Sequence, residues 1–175
     1  LYTMFLSQNL RAIESVLHKN RKDPHYGYLV ALKDNHKDEA IAKIDLILSK
    51  VKITSQKHQY AIIREILTNN YVAARQHAKE IEKSEIGKYS LALLDSMEGN
   101  GEKHLNTIFT KPWMSSAIRA THYFVKDNRE QYEIHRDIAL SLTKGLQYAA
   151  SVYTFRNVEN NQLLTPLEIS VQPIQ

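Results

Sequence analysis

Histidine carries most of the chemical potential of this sequence, because the chain has eight histidines and no cysteine. Without cysteine it has no disulfide, no thiolate nucleophile and no thiolate-bound zinc. A helix presents a pair of metal ligands when two histidines or carboxylates lie three or four residues apart. No two of the histidines have that spacing: His18, His25, His36, His58, His77, His104, His122 and His135. The sequence therefore predicts solvated or capping histidines, no metal site and no cofactor.

One stretch looks like part of a catalytic motif. His135-Arg136-Asp137 matches the first three residues of a protein-kinase catalytic loop. That loop requires asparagine five positions after the aspartate, together with a glycine-rich loop and an Asp-Phe-Gly sequence. Leu142 stands at the asparagine position, and the other two motifs are absent from the sequence. A triad of serine, histidine and aspartate stays open, but no feature of the sequence selects one, so we expect no enzymatic activity.

Charge and hydropathy narrow the classes of partner. The net charge is +4 and the sequence pI about 9.1, but 23 basic residues are interleaved with 19 acidic ones. A nucleic-acid surface requires basic residues gathered on one face. Nucleic acid is therefore disfavoured as a partner and kept as an alternative. No stretch of the sequence approaches the run of about 18 apolar residues that a membrane span requires.

The N-terminal residues leave two interpretations open. Residues 1–6 are mostly apolar and are followed by Arg11, Lys19, Arg21 and Lys22. This order is typical of the exit of a transmembrane helix, with basic residues on the cytoplasmic side. It equally fits a first helix whose start is buried. We therefore expect a cytoplasmic location, with membrane attachment only if a segment before Leu1 spans the bilayer, and the oligomeric state stays open.

Apolar residues recur at helical intervals through most of the chain, and only 5 glycines and 4 prolines interrupt them, which favours an all-α fold. The predicted helices cover about residues 2–19, 24–34, 40–51, 56–68, 71–81, 86–97, 105–109, 112–126 and 134–142. Thr54-Ser55 and Ser84 are predicted N-caps, and the last of these helices carries Ile134, Ile138 and Leu142. Periodicity continues to Tyr153 past Gly145, so one long helix or two helices close the array. Residues 1–157 form one predicted domain, and 158–175 an extended or disordered tail with a strand-like alternation at 167–171.

Two pairs of residues recur 34 positions apart: Asn35 with Asn69, and Ala40 with Ala74. Helix–turn–helix content with this period indicates stacked helical hairpins. Asn35, Asn69, Gly99 and Asn128 follow one another at intervals of 34, 30 and 29, each between two helix-like stretches. Asparagine and glycine tolerate the left-handed backbone just past a helix end, so these positions predict one equivalent turn in four hairpins.

This pattern resembles the tetratricopeptide repeat family. That family places a turn residue, then an aromatic, then alanine, then a large apolar residue. Asn69-Tyr71-Ala74-Ala78 matches the first three terms, and Asn35-Lys37-Ala40-Ile44 matches without the aromatic. The third unit keeps Gly99 and Ile108, the fourth keeps only Asn128, and the family's early tryptophan and closing proline are absent. The resemblance therefore covers about residues 22–82.

The resemblance implies a right-handed superhelix of about four antiparallel hairpins, with a concave groove lined by the first helix of each pair, no cofactor and no catalysis. It predicts a non-enzymatic adaptor that holds a peptide or a partner helix. The predicted groove residues are His25, Leu29, Lys33, Gln59, Ile63, Tyr89, Leu93, His122 and Lys126. The two lysines favour an acidic or C-terminal carboxylate peptide. The alternatives are a structural domain of a membrane-tethered protein and a nucleic-acid-binding helical repeat.

Overall fold

The computed structural model describes residues 8–160, which form nine α-helices, one short 3-10 turn and no strand. The all-α prediction is confirmed. The helices are α1 (Leu10–Lys19), α2 (Pro24–Lys33), α3 (Lys37–Lys50), α4 (Thr54–Leu67), α5 (Tyr71–Glu80), α6 (Glu85–Met97), α7 (Pro112–Val125), α8 (Arg129–Ser141) and α9 (Gly145–Glu159). The part of the first predicted helix before Gln8, and most of the predicted tail, lie outside the described residues. Within residues 8–160 no helix combines the length and the apolar character that a bilayer crossing requires.

Polar side chains set where several helices begin. Ser84 Oγ accepts a hydrogen bond from the Gly87 amide at 3.1 Å, as the sequence predicted, and this satisfies one of the free amides at the start of α6. The predicted cap of α4 was wrong by one position. Thr54 is the first helical residue there, and Ile53, which has no capping side chain, occupies the N-cap.

Four turns between helices share one backbone geometry. Their left-handed residues are Asn35 (φ 58°), Asn69 (φ 60°), Gly99 (φ 87°) and Asp127 (φ 58°). In each turn the next amide bonds to a carbonyl five residues earlier, at 2.7–2.8 Å, which is the Schellman arrangement. Three of the predicted positions are confirmed. The fourth was wrong by one residue, because Asn128 is the N-cap of α8.

The helices pack as hairpins α2/α3, α4/α5 and α7/α8, and neighbouring hairpins pack on each other. The third predicted hairpin lacks its second helix. After Gly99 only the 3-10 turn Glu102–His104 forms, and Ile108 is 92% exposed instead of lining a helix. The chain is tied down at Thr110, whose amide donates to Glu85 Oε2 at 2.8 Å. The segment 105–109 is therefore a connection between α6 and α7.

An ionic cluster fixes the 3-10 turn to the array. Asp95 on α6 accepts hydrogen bonds from Arg75 Nη1 and from His104 Nε2, both at 2.7 Å. Burial raises the pKa of Asp95, but the bonds from His104 and Arg75 more than offset burial and leave this pKa below its usual value. The cluster joins α5, α6 and the turn without any regular structure between Leu105 and Phe109.

Burial divides the helices into two classes. The helices α2, α6, α7 and α9 have buried residues around their whole circumference, and α4 does so over its second half. By contrast, α3, α5 and α8 bury a single face, such as Ala40, Ile44 and Ile47 on α3. The inner layer is thus packed on every side, and the hairpins place α3, α5 and α8 outside it.

The two ends of the described chain meet. The last helix, α9, packs against α1 and α2 as well as α8. Tyr153 Oη donates to Glu14 Oε2 at 2.9 Å, and Gln8 Nε2 donates to the carbonyl of Thr143 at 2.8 Å. The sequence left open whether one or two helices follow Asn128. There are two, and Gly145 begins the second with a left-handed backbone (φ 63°).

Candidate functional site

The predicted groove residues divide by burial. Leu29, Ile63, Tyr89, Leu93 and His122 lie in the core, each at most 5% exposed. Among the inner helices α6 packs on α4 and α7, and α9 packs on α2, so no open groove exposes these side chains. These five side chains therefore offer no accessible surface to a peptide. Tyr89, for example, makes edge contacts with Phe109 and Trp113.

The other four predicted groove residues reach the surface at separate places. His25 is half-buried, with Nδ1 3.0 Å from Asp23 Oδ1 and its ring against Tyr60. Lys33 Nζ lies 3.8 Å from a carboxylate oxygen of Glu14. Gln59 is half-buried on α4, and Lys126 is exposed at the end of α7. Their contact with a partner stays a prediction.

An exposed apolar surface lies along α8 and its C-terminal end. Ile134 and Ile138 share one face of α8, and the C-cap residue Leu142 follows at the same spacing; the three are 44%, 40% and 48% exposed. We call these three residues the α8 stripe. The buried face is instead formed by Tyr132 and Ala139. The periodic residues Ile134 and Ile138 are therefore not the residues that α8 buries.

Aromatic packing decides which face of α8 is buried. The Tyr132 ring lies with its centroid 5.1 Å from Phe124 and 6.3 Å from Phe155, bridging α7 and α9. Arg136 lies over the same ring at 5.5 Å and binds Glu159 Oε1 through Nη1 at 2.6 Å. Burial raises the pKa of Tyr132, so its hydroxyl stays un-ionised. These contacts hold α8 in one rotation and leave the α8 stripe facing outward.

Carboxylates border the α8 stripe along one side. Glu130 lies four residues before Ile134, and Asp137 three residues after it, so both share a side of the helix with that isoleucine. Glu133 continues the same side. We call Glu130, Glu133 and Asp137 the acidic edge. All three are exposed. Glu133 Oε1 lies 3.4 Å from Arg129 Nε, and Asp137 Oδ1 lies 3.1 Å from Arg136 Nε.

A second feature is a cleft between α3, α4 and α5 with a volume of about 420 Å³. It contains two histidines from consecutive helices, His58 and His77, whose Nδ1 atoms are 3.0 Å apart. Spacing within single helices does not indicate this pair, because its two members lie on different helices. Their positions, eleven residues before and eight after the turn at Asn69, could have indicated that they face each other across a hairpin. Among residues 8–160 no group of three or more histidines and carboxylates could hold a metal ion.

Two other histidines have packing roles instead of the predicted solvated ones. Within the described part of the chain, Nδ1 of His122 and Nδ1 of His135 are buried without a hydrogen-bond partner. Tyr123 touches both rings and stacks on His135 at 11°. Burial lowers the pKa of both histidines, and Arg119 lowers that of His135 further. Both rings therefore act as neutral spacers between α7 and α8.

Comparison with known proteins gives this chain no relative. It matches no protein-family model, no curated protein and no solved structure. The resemblance to tetratricopeptide repeats therefore rests on the sequence pattern alone.

Proposed function

We propose that this chain is a non-enzymatic protein-interaction domain that binds an amphipathic partner helix on the α8 stripe. The observation that carries the proposal is the exposure of Ile134 and Ile138 on one face of α8, continued by its C-cap Leu142, while the opposite face of the helix is packed. Large apolar residues at i, i+4 and i+8 match the anchor spacing with which one helix receives another. A rigid, exposed stripe of this kind is ready to bind without rearrangement.

The strength of the apolar contact can be bounded. Full burial of an isoleucine or leucine side chain contributes about 1.5–3 kcal/mol, and about half of each side chain is already buried. Covering the rest of all three then contributes about 2–4 kcal/mol, which alone supports no more than millimolar affinity. Further attraction has to come from the acidic edge, which selects a partner with lysine or arginine beside its apolar face.

Charge also argues against two other occupants. The N-terminal segment, residues 1–7, is apolar but contains no lysine or arginine to meet the acidic edge. A second copy of the chain, pairing α8 antiparallel with α8, would set one acidic edge against the other. A basic amphipathic helix from another protein satisfies both the stripe and the carboxylates.

We further propose a relation to the tetratricopeptide repeats, with the binding surface moved from the inner to the outer helices. The shared left-handed turns at Asn35 and Asn69 support it, as do Ala40 and Ala74, both fully buried at equivalent positions. Small side chains at these places let paired helices approach closely. In this arrangement the second helix of the last hairpin, α8, takes the partner.

The test uses a designed helical peptide with leucines at i, i+4 and i+8 and lysines beside them, followed by amide chemical shifts of the isotopically labelled protein. We expect shifts concentrated on α8, and binding about fivefold weaker for Ile138→Ser, from the loss of about 1 kcal/mol of apolar contact. Ile108→Ser is the matched control, because Ile108 is exposed but lies in the 105–109 connection. A glutamate version of the peptide should bind much less. Equal binding of both peptides, or no effect of Ile138→Ser, would overturn the proposal.

A photo-crosslinking residue in place of Leu142 identifies the occupant. A crosslink to the lysine peptide supports the proposal. A crosslink from Leu142 to residues 1–7 of the same chain, or a crosslinked dimer that persists in the presence of the peptide, contradicts it. Sedimentation at several protein concentrations distinguishes these two contrary results.

A further inference from the structure

We propose that His58 and His77 form a two-imidazole site for a divalent transition-metal ion, with Cu²⁺ bound most tightly. The two side chains come from α4 and α5, the helices of one hairpin, and their Nδ1 atoms are 3.0 Å apart. Their ring planes are tilted by 48° with centroids 5.2 Å apart, so the rings are not stacked. The two Nδ1 atoms share a hydrogen bond, which a bound metal ion would replace.

The separation of the two nitrogens fits one coordination geometry better than another. Imidazole nitrogens bind such metals at about 2.0–2.1 Å. Two nitrogens at that distance are about 2.8–3.0 Å apart when they subtend 90° at the metal, and about 3.3–3.4 Å apart at the tetrahedral angle. The observed 3.0 Å fits the right-angled case. That geometry is typical of square-planar or tetragonal Cu²⁺ and Ni²⁺.

The surroundings of the pair leave room for an ion. Both rings are half-buried at the wall of the cleft, whose lining also includes Leu48 and Ala61. Two histidines fill two coordination positions, and the opening of the cleft leaves the remaining ones to water or to a carboxylate of another molecule. The cleft therefore resembles an open site more than a closed structural one.

Nearby charge does not oppose a cation. Arg64, which also lines the cleft, is held by Asp45 Oδ1 at 2.6 Å and by Glu65 Oε1 at 3.1 Å. Together with Lys57 these groups sum to a formal charge of zero, two positive and two negative. The metal ion would thus enter an environment whose formal charges approximately cancel.

The site is tested by thermal unfolding of the whole chain with CuCl₂, NiCl₂, ZnCl₂ or MgCl₂. We expect Cu²⁺ to raise Tm by about 5–10 °C at a hundredfold excess over its Kd, with smaller rises for Ni²⁺ and Zn²⁺ and none for Mg²⁺. His58→Asn and His77→Asn should each abolish most of the Cu²⁺ shift. His18→Asn is the matched control, because His18 is an exposed histidine on α1, and it should leave the shift unchanged.

Electron paramagnetic resonance of the Cu²⁺-loaded natural protein gives a readout that does not depend on variants folding. Hyperfine structure from two equivalent imidazole nitrogens, with one Cu²⁺ bound per chain, is the expected result. A spectrum with a single imidazole nitrogen would overturn the site. So would a Cu²⁺ shift in Tm that is the same for the natural protein and His77→Asn.

Discussion

Replacing Tyr89 by alanine separates an inner-layer role from a groove role for this residue. Tyr89 is fully buried, and its ring makes edge contacts with Trp113 at 5.4 Å and Phe109 at 6.0 Å. Its ring therefore packs α6 against the segment 105–109 and against the start of α7. A groove residue, by contrast, would lose partner affinity on substitution and leave the fold intact.

The expected cost follows from the size of the side chain. Removing a buried aromatic ring to alanine lowers the free energy of unfolding by about 3–5 kcal/mol, from lost apolar burial and the cavity left behind. For a domain of this size each kcal/mol corresponds to about 2–4 °C in Tm. Tyr89→Ala should therefore lower Tm by roughly 6–20 °C. Tyr89→Phe, which keeps the ring, should cost only about 1 kcal/mol.

Urea unfolding followed by tryptophan fluorescence measures this loss directly. Trp113 is the one tryptophan of the sequence, and it is buried beside Tyr89. Circular dichroism at 222 nm, which reports all helices, should give the same midpoint if unfolding is two-state. A loss of unfolding free energy below about 1 kcal/mol for Tyr89→Ala would refute the inner-layer assignment, since removing a buried ring of this size lowers stability by about 3–5 kcal/mol.

Three further predictions concern packing, turn geometry and charge. Ala74→Leu should lower the free energy of unfolding by about 1–3 kcal/mol, because it overpacks a fully buried position. Ala73→Leu should lower it clearly less, because Ala73 is half-buried. Urea unfolding measures both, and equal losses would contradict the register of α5. Asp127→Gly should raise the free energy of unfolding by up to about 1 kcal/mol by relieving a left-handed backbone, whereas Asn128→Gly should not raise it. Because the folded pKa of Asp95 is lowered, its carboxylate stabilises the fold above about pH 4, and this stabilisation is lost as pH falls through the folded pKa. The Asp95→Asn protein should therefore be less stable than the natural protein at pH 7 and should lose less stability on acidification. Parallel profiles of unfolding free energy against pH for the two proteins would contradict this.

Turn chemistry and helix type were predictable because they are local. The 34-residue repeat of Asn35 and Asn69 located two left-handed turns, since few residue types tolerate that backbone. The buried face of α3 followed from periodicity, because Ala40, Ile44 and Ile47 are the apolar residues that share one side. In each case the deciding interactions lie within about one helical turn.

The rotation of α8 was not predictable in the same way. Two candidate faces coexist on this helix, Ile134 with Ile138 and Tyr132 with Ala139, and both have helical spacing. The choice depends on the ring partners of Tyr132, Phe124 and Phe155, which lie on the neighbouring helices α7 and α9. The filled groove has a similar cause, because periodicity shows which residues share a face but not which helix covers it.

The contact between α9 and the first two helices changes how this array can fold and evolve. An open stack of hairpins has independent ends, so it can fold from any unit outward and can lengthen by duplicating one. Here the hydrogen bond between Tyr153 and Glu14 closes a loop of 139 residues. The chain loses conformational entropy when this loop closes, and the contacts between the two ends have to offset that loss before they stabilise the fold. We therefore expect slow, all-or-none folding, and a fixed number of hairpins, since inserting another would separate the two ends.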